Sequence, residues 1–180
     1  LFTAGISSIT AGNNNFVAGL FAGNSIGSSG SYNTLLGNYS GAAINYGDYN
    51  TAVGYESLQN AVNHHNTAVG SRALKNTTTA QYCTAVGYKA LEAHTTGGSN
   101  TAIGYLASTN NTVHQQTTAV GHYALGQNTS HYNTAVGAYT MSLNTTGSYN
   151  TAVGRAASYS NQWGQGSRAF GYQALYYNTT

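Results

Sequence analysis

The sequence predicts an all-β protein, a parallel β-solenoid or β-roll of about ten coils, each about 17 residues long with two short strands. Its consensus, N-T-A-V-G-Y-x-A-L-x-x-N-T-T-G-S-Y, recurs every 16 to 18 residues. Helical repeats need roughly 20 to 45 residues, so this period favours β-coils. Sixteen Tyr and no Pro distinguish the chain from disordered sequences. The recurring glycines, here the glycine column, are Gly19, Gly37, Gly54, Gly70, Gly87, Gly104, Gly121, Gly137, Gly154 and Gly171.

Each repeat contains two β-favouring segments separated by turn residues. The first strand is predicted at 51–55 and its equivalents, the second around the Ala-Leu pairs such as 73–74, and the turn at segments such as 76–78. We expect an irregular first coil at 1–13 and one repeat domain at 14–180. Because neither end carries an atypical capping segment, we also expect the chain to stack end to end or to continue into flanking coils.

Stacked coils place equivalent residues about 4.8 Å apart, so each consensus position becomes a column. We expect the Val column to form the core with the Leu column facing it, and the Ala column to lie on the opposite face of the strand. The Val column is Val53, Val69, Val86, Ile103, Val120, Val136, Val153 and Phe170. The Leu column is Leu58, Leu74, Leu91, Leu125, Met141 and Leu175. The Ala column is Ala52, Ala68, Ala85, Ala102, Ala119, Ala135, Ala152 and Ala169.

An Asn column precedes the first strand, and its amides are predicted to hydrogen-bond from coil to coil. Cys83 takes the place of Asn in one coil, and no His or acid has a sequence-defined position beside it, so we interpret it as an incidental substitution. The Asn column is Asn33, Asn50, Asn66, Asn100, Asn133 and Asn150.

The motif N-T-A-V-G-Y-x-A-L, as at 50–58 and 66–74, resembles repeats of bacteriophage tail-fibre proteins and, more distantly, the heads of trimeric autotransporter adhesins. The resemblance covers about residues 14 to 180. It implies a virion or cell-surface location, homotrimers, and binding to host-surface glycans. The segment 53–57 also fits the hexapeptide pattern of triangular β-helices, but only once per coil, so a two-strand roll is preferred.

The eight charged residues exclude several classes of function. A net charge of +2 provides no basic surface for nucleic acid, and no apolar run is long enough to insert into a membrane. Glu56 and Glu92 fall in different columns and are expected about 10 Å or more apart, too far for a retaining glycosidase pair. The six His residues show no metal-ligand spacing. We therefore expect no catalytic residue, metal or cofactor, and no enzyme activity.

Two columns rich in Tyr flank the first strand. Three interpretations stay open: packing between chains, stacking that only stabilises the solenoid, and contact with glycans. The first tyrosine column is Tyr32, Tyr49, His65, Tyr82, Tyr132 and Tyr149. The second tyrosine column is Tyr55, Tyr88, Tyr105, His122 and Tyr172.

Glycosylation sequons recur in the turn, although Asn-Thr-Thr is also favourable turn chemistry and that interpretation is preferred. Their asparagines are Asn38, Asn76, Asn110, Asn128, Asn144 and Asn178.

The sequence as a whole favours a structural or adhesive component of an extracellular fibre, a tail fibre or surface filament that assembles as a homotrimer or an end-to-end filament. The alternative is a module that binds glycan or ice through a Tyr column or through the regular Thr column. The Thr column is Thr34, Thr51, Thr67, Thr84, Thr101, Thr118, Thr134 and Thr151.

Overall fold

A computed structural model describes residues 6–7 and 14–178, and it confirms the predicted β-solenoid. Within these residues there is no helix. One sheet of eleven strands runs the length of the molecule in the order β1 to β10 and then β12, while β11 and β13 form a separate pair. The strands are β1 Ile6–Ser7, β2 Phe16–Ala18, β3 Thr34–Leu36, β4 Thr51–Val53, β5 Thr67–Val69, β6 Thr84–Val86, β7 Thr101–Ile103, β8 Thr118–Val120, β9 Thr134–Val136, β10 Thr151–Val153, β11 Ser160–Asn161, β12 Arg168–Phe170 and β13 Tyr177–Asn178.

The pairing register turns the repeat into columns. Thr51 pairs with Thr67 and Ala52 with Ala68 in a parallel arrangement that holds for every neighbouring pair from β2 to β10 and on to β12. Only β1 differs, because it lies antiparallel to β2. Apart from β1, the predicted irregular coil at 1–13 lies outside the described residues.

The prediction of which strand face is inside was wrong. The Ala column is buried in every strand, with Ala52 and Ala68 0% exposed, whereas Val69 is 36% and Ile103 40% exposed. The Leu column is buried as predicted, except that Leu175 in the last coil is exposed. In the coils where a buried Leu or Met occupies the facing column, the inward residue of the strand is Ala.

The first two coils show the same rule with the residues exchanged. In the coil of β3 the inward residue is Leu35, and Gly41 stands where the next coil has Leu58. A Cβ atom on Gly41 would lie 2.7 Å from Leu35 Cδ2 and 2.8 Å from Ile44 Cδ1, so the space is already full. In this coil the large residue lies on the strand side and glycine on the facing side, the reverse of the β4 coil.

The second segment of each coil is a tight turn in most coils, not the predicted strand. The Leu column there has left-handed backbone, with φ between 46° and 52°. The residues two positions before it are also left-handed, for example Glu56 with φ 55° and Arg72 with φ 62°. Its amides still donate to the neighbouring coil, for example Leu58 N–H to Ala73 O at 3.0 Å. Only the last two coils form strands near this region, as β11 and β13. One eleven-stranded sheet and the short β11–β13 pair therefore take the place of the three sheets of a triangular helix.

The glycine column is required both by backbone conformation and by space. Gly54 has φ 133°, a conformation that side chains other than hydrogen rarely adopt. A Cβ atom there would lie 2.7 Å from the carbonyl carbon of Gly70 in the neighbouring coil. From Gly19 to Gly154, the missing Cβ therefore lets each coil approach the backbone of the next coil at strand spacing.

The predicted Asn column forms a hydrogen-bond ladder inside the solenoid. The amide oxygen of Asn33 accepts from Asn50 N–H at 2.9 Å, and that of Asn50 accepts from Asn66 N–H at 3.0 Å. The Nδ2 group of each asparagine donates to a carbonyl of its own coil's turn, as Asn50 does to Asn63 O at 2.7 Å. These buried amides therefore connect coils while satisfying turn carbonyls.

Candidate binding surfaces

The first tyrosine column is an exposed stack of rings beside the sheet. Tyr32 and Tyr49 are parallel within 1° at a centroid distance of 4.9 Å, and Tyr132 and Tyr149 stack at 4.8 Å. His65 continues the stack between its two neighbours at 5.1 and 5.3 Å. Tyr49, Tyr82 and Tyr149 are more than half exposed. The rings therefore stack along the axis, and the column stays exposed on its outer side.

The second tyrosine column is shorter and interrupted. Tyr88 stacks on Tyr105 at 5.4 Å, and Tyr105 on His122 at 5.2 Å. Tyr55 instead lies edge-on to Tyr39, and Tyr172 lies beside the Arg155 guanidinium, whose carbon is 5.7 Å from the ring centroid. All four tyrosines of this column are exposed.

Between these columns lies the outward side of the sheet, formed by the partly exposed Thr column and Val column. From β3 to β10 these two columns and the first tyrosine column contain no charged residue, and the second contains only Arg155. We call the Thr and Val columns with their two flanking tyrosine columns the sheet face. Its exposed side chains include Tyr49, Tyr82 and Ile103.

A third aromatic column was missed, two residues after each glycine. It contains Phe21, Tyr39, Tyr123 and Tyr139, and Phe21 stacks on Tyr39 at 5.1 Å. The signal was present in the sequence but diluted by charged residues in the middle coils. Phe21 and Tyr39 line a shallow groove of about 380 Å³ together with Asn24, Ser25, Ala42, Ala43, Gln59 and Asn60.

The charged residues of three successive coils form one ion-pair cluster. Arg72 Nε lies 3.2 Å from Glu56 Oε2 and 3.0 Å from Glu92 Oε1, so the expected separation of 10 Å or more between these carboxylates was wrong. Their long side chains converge on one guanidinium although their Cα atoms occupy different columns. Lys75 hydrogen-bonds to Glu56 at 2.6 Å and lowers its pKa, which keeps this carboxyl ionised. Such pairing suits a connection between coils and not a general acid.

Cys83 is buried beside a histidine, contrary to expectation. Its Sγ atom lies 3.8 Å from His94 Nε2, and His94 Nδ1 lies 3.2 Å from Asn111 O. Burial raises the pKa of the Cys83 thiol and lowers the pKa of His94, so both groups favour their neutral forms. The contact joins residues eleven positions apart, a proximity that depends on coil shape and that spacing alone did not reveal.

The sequon asparagines divide between surface and core. Asn38, Asn76 and Asn110 are exposed, whereas Asn128 and Asn144 are 0% exposed. Asn144 Nδ2 donates to Asn128 Oδ1 at 2.9 Å, which makes a second interior amide ladder. The buried pair cannot accept a glycan in the folded chain; the side chain of Asn178 lies outside the described residues.

No three His, Cys, Asp or Glu side chains among residues 6–7 and 14–178 are grouped as a metal site would require. No helix in that part of the chain has the length and apolar character of a membrane span. The chain matches no protein-family model, no curated protein and no solved structure.

Proposed function

We propose that this chain is a structural segment of an extracellular fibre and that copies of it associate through the sheet face. The observation that supports this most is the contrast between a regular stack of coils and one broad, aromatic, nearly uncharged side. The extracellular location and the fibre rest on the resemblance of the N-T-A-V-G-Y-x-A-L repeat to tail-fibre and adhesin repeats.

The size of the sheet face fits a second copy of the chain. Ten parallel strands extend about 45 Å along the axis, and the columns span about 15 to 20 Å across it, which gives roughly 700 to 900 Å² per chain. A stable protein interface buries about 800 Å² per partner. Two copies also present the same axial repeat, so their side-chain columns can interdigitate along the whole length.

The chemistry of the sheet face also suits self-association. Tyr and Val bury favourably between chains, and a face whose one charged residue between β3 and β10 is Arg155 carries little electrostatic penalty when it meets itself. The exposed valines, such as Val69 at 36%, would lose their contact with water. The interior ladders connect successive coils within each chain.

Sedimentation of a charged variant tests the proposal. Ile103→Lys introduces an ammonium at the centre of the sheet face, where Ile103 is 40% exposed, and should convert oligomers to monomers. Val113→Lys, at a residue 50% exposed outside the sheet face, is the matched control and should leave the oligomers intact. A wild-type monomer at micromolar concentration, or equal behaviour of both variants, would refute self-association.

A second candidate is a binding module that uses the Thr column. Eight threonines pair in register from β3 to β10, which creates a row of partly exposed hydroxyls at strand spacing. A monomeric wild type that binds ice or glycan, with binding lost in Thr101→Lys, would select this function.

A further inference from the structure

We propose that stacked tyrosines of successive coils are sites of oxidative cross-linking, at which a peroxidase that uses hydrogen peroxide couples two phenol rings into dityrosine. Three pairs bring tyrosines of neighbouring coils into nearly parallel contact. They are Tyr32 with Tyr49, Tyr132 with Tyr149, and Tyr159 with Tyr176, at ring centroid distances of 4.9, 4.8 and 5.0 Å. The first two pairs belong to the first tyrosine column, and the third lies outside the sheet face. The inference goes beyond the fibre proposal and does not depend on it.

The coupling is a two-electron oxidation of the pair. Each phenol gives one electron and its hydroxyl proton to the oxidant, which leaves a phenoxyl radical on each ring. The two radicals combine through ring carbons ortho to oxygen, and the hydrogens on those carbons then move to the oxygens, which restores both phenols. One molecule of hydrogen peroxide takes up the two electrons and two protons and becomes two molecules of water. Each link therefore removes two hydrogen atoms from the chain and adds one carbon–carbon bond between coils.

The fold supplies the proximity that this coupling requires. Tyr32 and Tyr49 are parallel within 1°, and Tyr49 N–H donates to Ser31 O at 3.1 Å, so the two backbones are joined beside the rings. A radical on one ring therefore has its partner next to it, which favours reaction within the chain over reaction between chains. Exposed side chains change rotamer within about nanoseconds, so the rings can turn from the stacked to the edge-to-edge arrangement in which the ortho carbons bond.

Burial directs oxidation towards tyrosine in this chain. Tyr49 and Tyr149 are 54% and 63% exposed, so an oxidant in solution reaches their rings. The sequence holds one cysteine and one methionine, and both are inside the solenoid, with Cys83 1% and Met141 0% exposed. Oxidation of sulfur side chains depends on exposure, so these two compete poorly with the tyrosine columns.

Treatment of the full chain with peroxidase and hydrogen peroxide tests this proposal. We expect dityrosine fluorescence, the loss of two hydrogen atoms per link in the intact mass, and a product that still runs as a single chain on a denaturing gel. Mass spectrometry after proteolysis should find the links at the three stacked pairs, and this preference should vanish when the chain is oxidised in urea. Covalent dimers as the main product, links spread over tyrosines without regard to stacking, or the same pattern in urea would overturn the proposal.

A matched pair of variants in the first tyrosine column locates one link. Tyr49→Phe keeps the stacked ring but removes the phenol, and it should abolish the link to Tyr32. Tyr82→Phe makes the same change in the same column, where the stacked neighbour is His65, and should leave every link at its wild-type yield. Cross-linking of Tyr32 at an undiminished yield in Tyr49→Phe would contradict the site. The link between Tyr159 and Tyr176 lies outside the sheet face and should form equally in oligomers and monomers, which separates this test from the fibre test.

Discussion

At the scale of the residue, the inward position of each strand decides whether a coil can close. The alternation Thr-Ala-Val identified two faces, but hydrophobicity alone favoured Val inside. The structure places Ala inside, both where Leu faces it and in the coils of β7 and β10, where Ser108 and Ser158 stand in that column. Sequence periodicity specifies which residues share a face, while the free volume of the coil decides which face is buried.

Adjacent substitutions in β5 test this assignment. Ala68→Asp places an unpaired carboxylate in the interior and should lower the free energy of unfolding by several kcal/mol or prevent folding. Val69→Asp, at a partly exposed position, should fold with less than about 1 kcal/mol of destabilisation. Chemical denaturation measures the free energy of unfolding of both variants. A larger loss of stability in Val69→Asp than in Ala68→Asp would show that Val, and not Ala, is the inward residue.

Two glycines of the glycine column allow the clash between coils to be separated from backbone strain. Gly54→Ala should destabilise strongly, because its Cβ would lie 2.7 Å from Gly70 backbone in addition to adopting φ 133°. Gly171 has φ 120° with no atom within 4 Å of its added Cβ, so Gly171→Ala measures the backbone strain alone, about 1 to 3 kcal/mol. Equal losses in thermal melting would show that the clash between coils is unimportant.

At the scale of the element, a coil is a volume-balanced set of side chains. The coil of β3 fills its core with Leu35 and Ile44 around Gly41, whereas the coil of β4 uses Leu58 with two alanines. Sequence reasoning grouped both coils under one consensus. It also missed the left-handed turn at the Leu column, since nothing in local propensity marks a leucine for positive φ.

Replacing the core residues of the β3 coil with those of the β4 coil tests whether the sizes of these side chains compensate for one another. Leu35→Ala should cost about 2 to 5 kcal/mol through a cavity, and Gly41→Leu about 1 to 3 kcal/mol through overpacking. The triple variant Leu35→Ala, Gly41→Leu, Ile44→Ala reproduces the set found in the β4 coil and should recover most of the stability. Additive losses in urea denaturation would contradict the balance.

The coil that contains His94 should be sensitive to acid. Burial lowers the pKa of His94 in the folded state, so the unfolded chain binds the proton first and stability falls as pH drops below about 6.5. Burial lowers the pKa of His114 in the same direction, whereas Glu56, whose pKa Lys75 lowers, contributes only below about pH 4.5.

His94→Asn, the residue type that the next coil has in this column as Asn111, should reduce the loss of stability between pH 6.5 and 5. His65→Asn, in the exposed ring stack, should keep the wild-type profile. Thermal melts across this range provide the measurement. An unchanged profile in His94→Asn would assign the acid sensitivity to other groups.

At the scale of the whole molecule, repetition made the solenoid and its columns predictable, including the Asn ladder and the tyrosine stacks. Repetition also concealed the exceptions. The contact between Cys83 and His94 arises where single coils depart from the consensus, and its geometry depends on how neighbouring coils superpose. The columns therefore suit a structural role that all coils share. Side-chain contacts that occur once, such as that between Cys83 and His94, are found in coils that depart from the consensus.

Distances between spin labels on the Thr column test the stacked-coil architecture most directly. Labels on a Cys83→Asn background at Thr51 and Thr101, three coils apart, should lie about 14 Å apart, and labels at Thr51 and Thr134, five coils apart, about 24 Å, apart from linker length. A separation that grows linearly with coil number is the result this account predicts. Distances that fail to increase with coil number would contradict a rod of stacked coils.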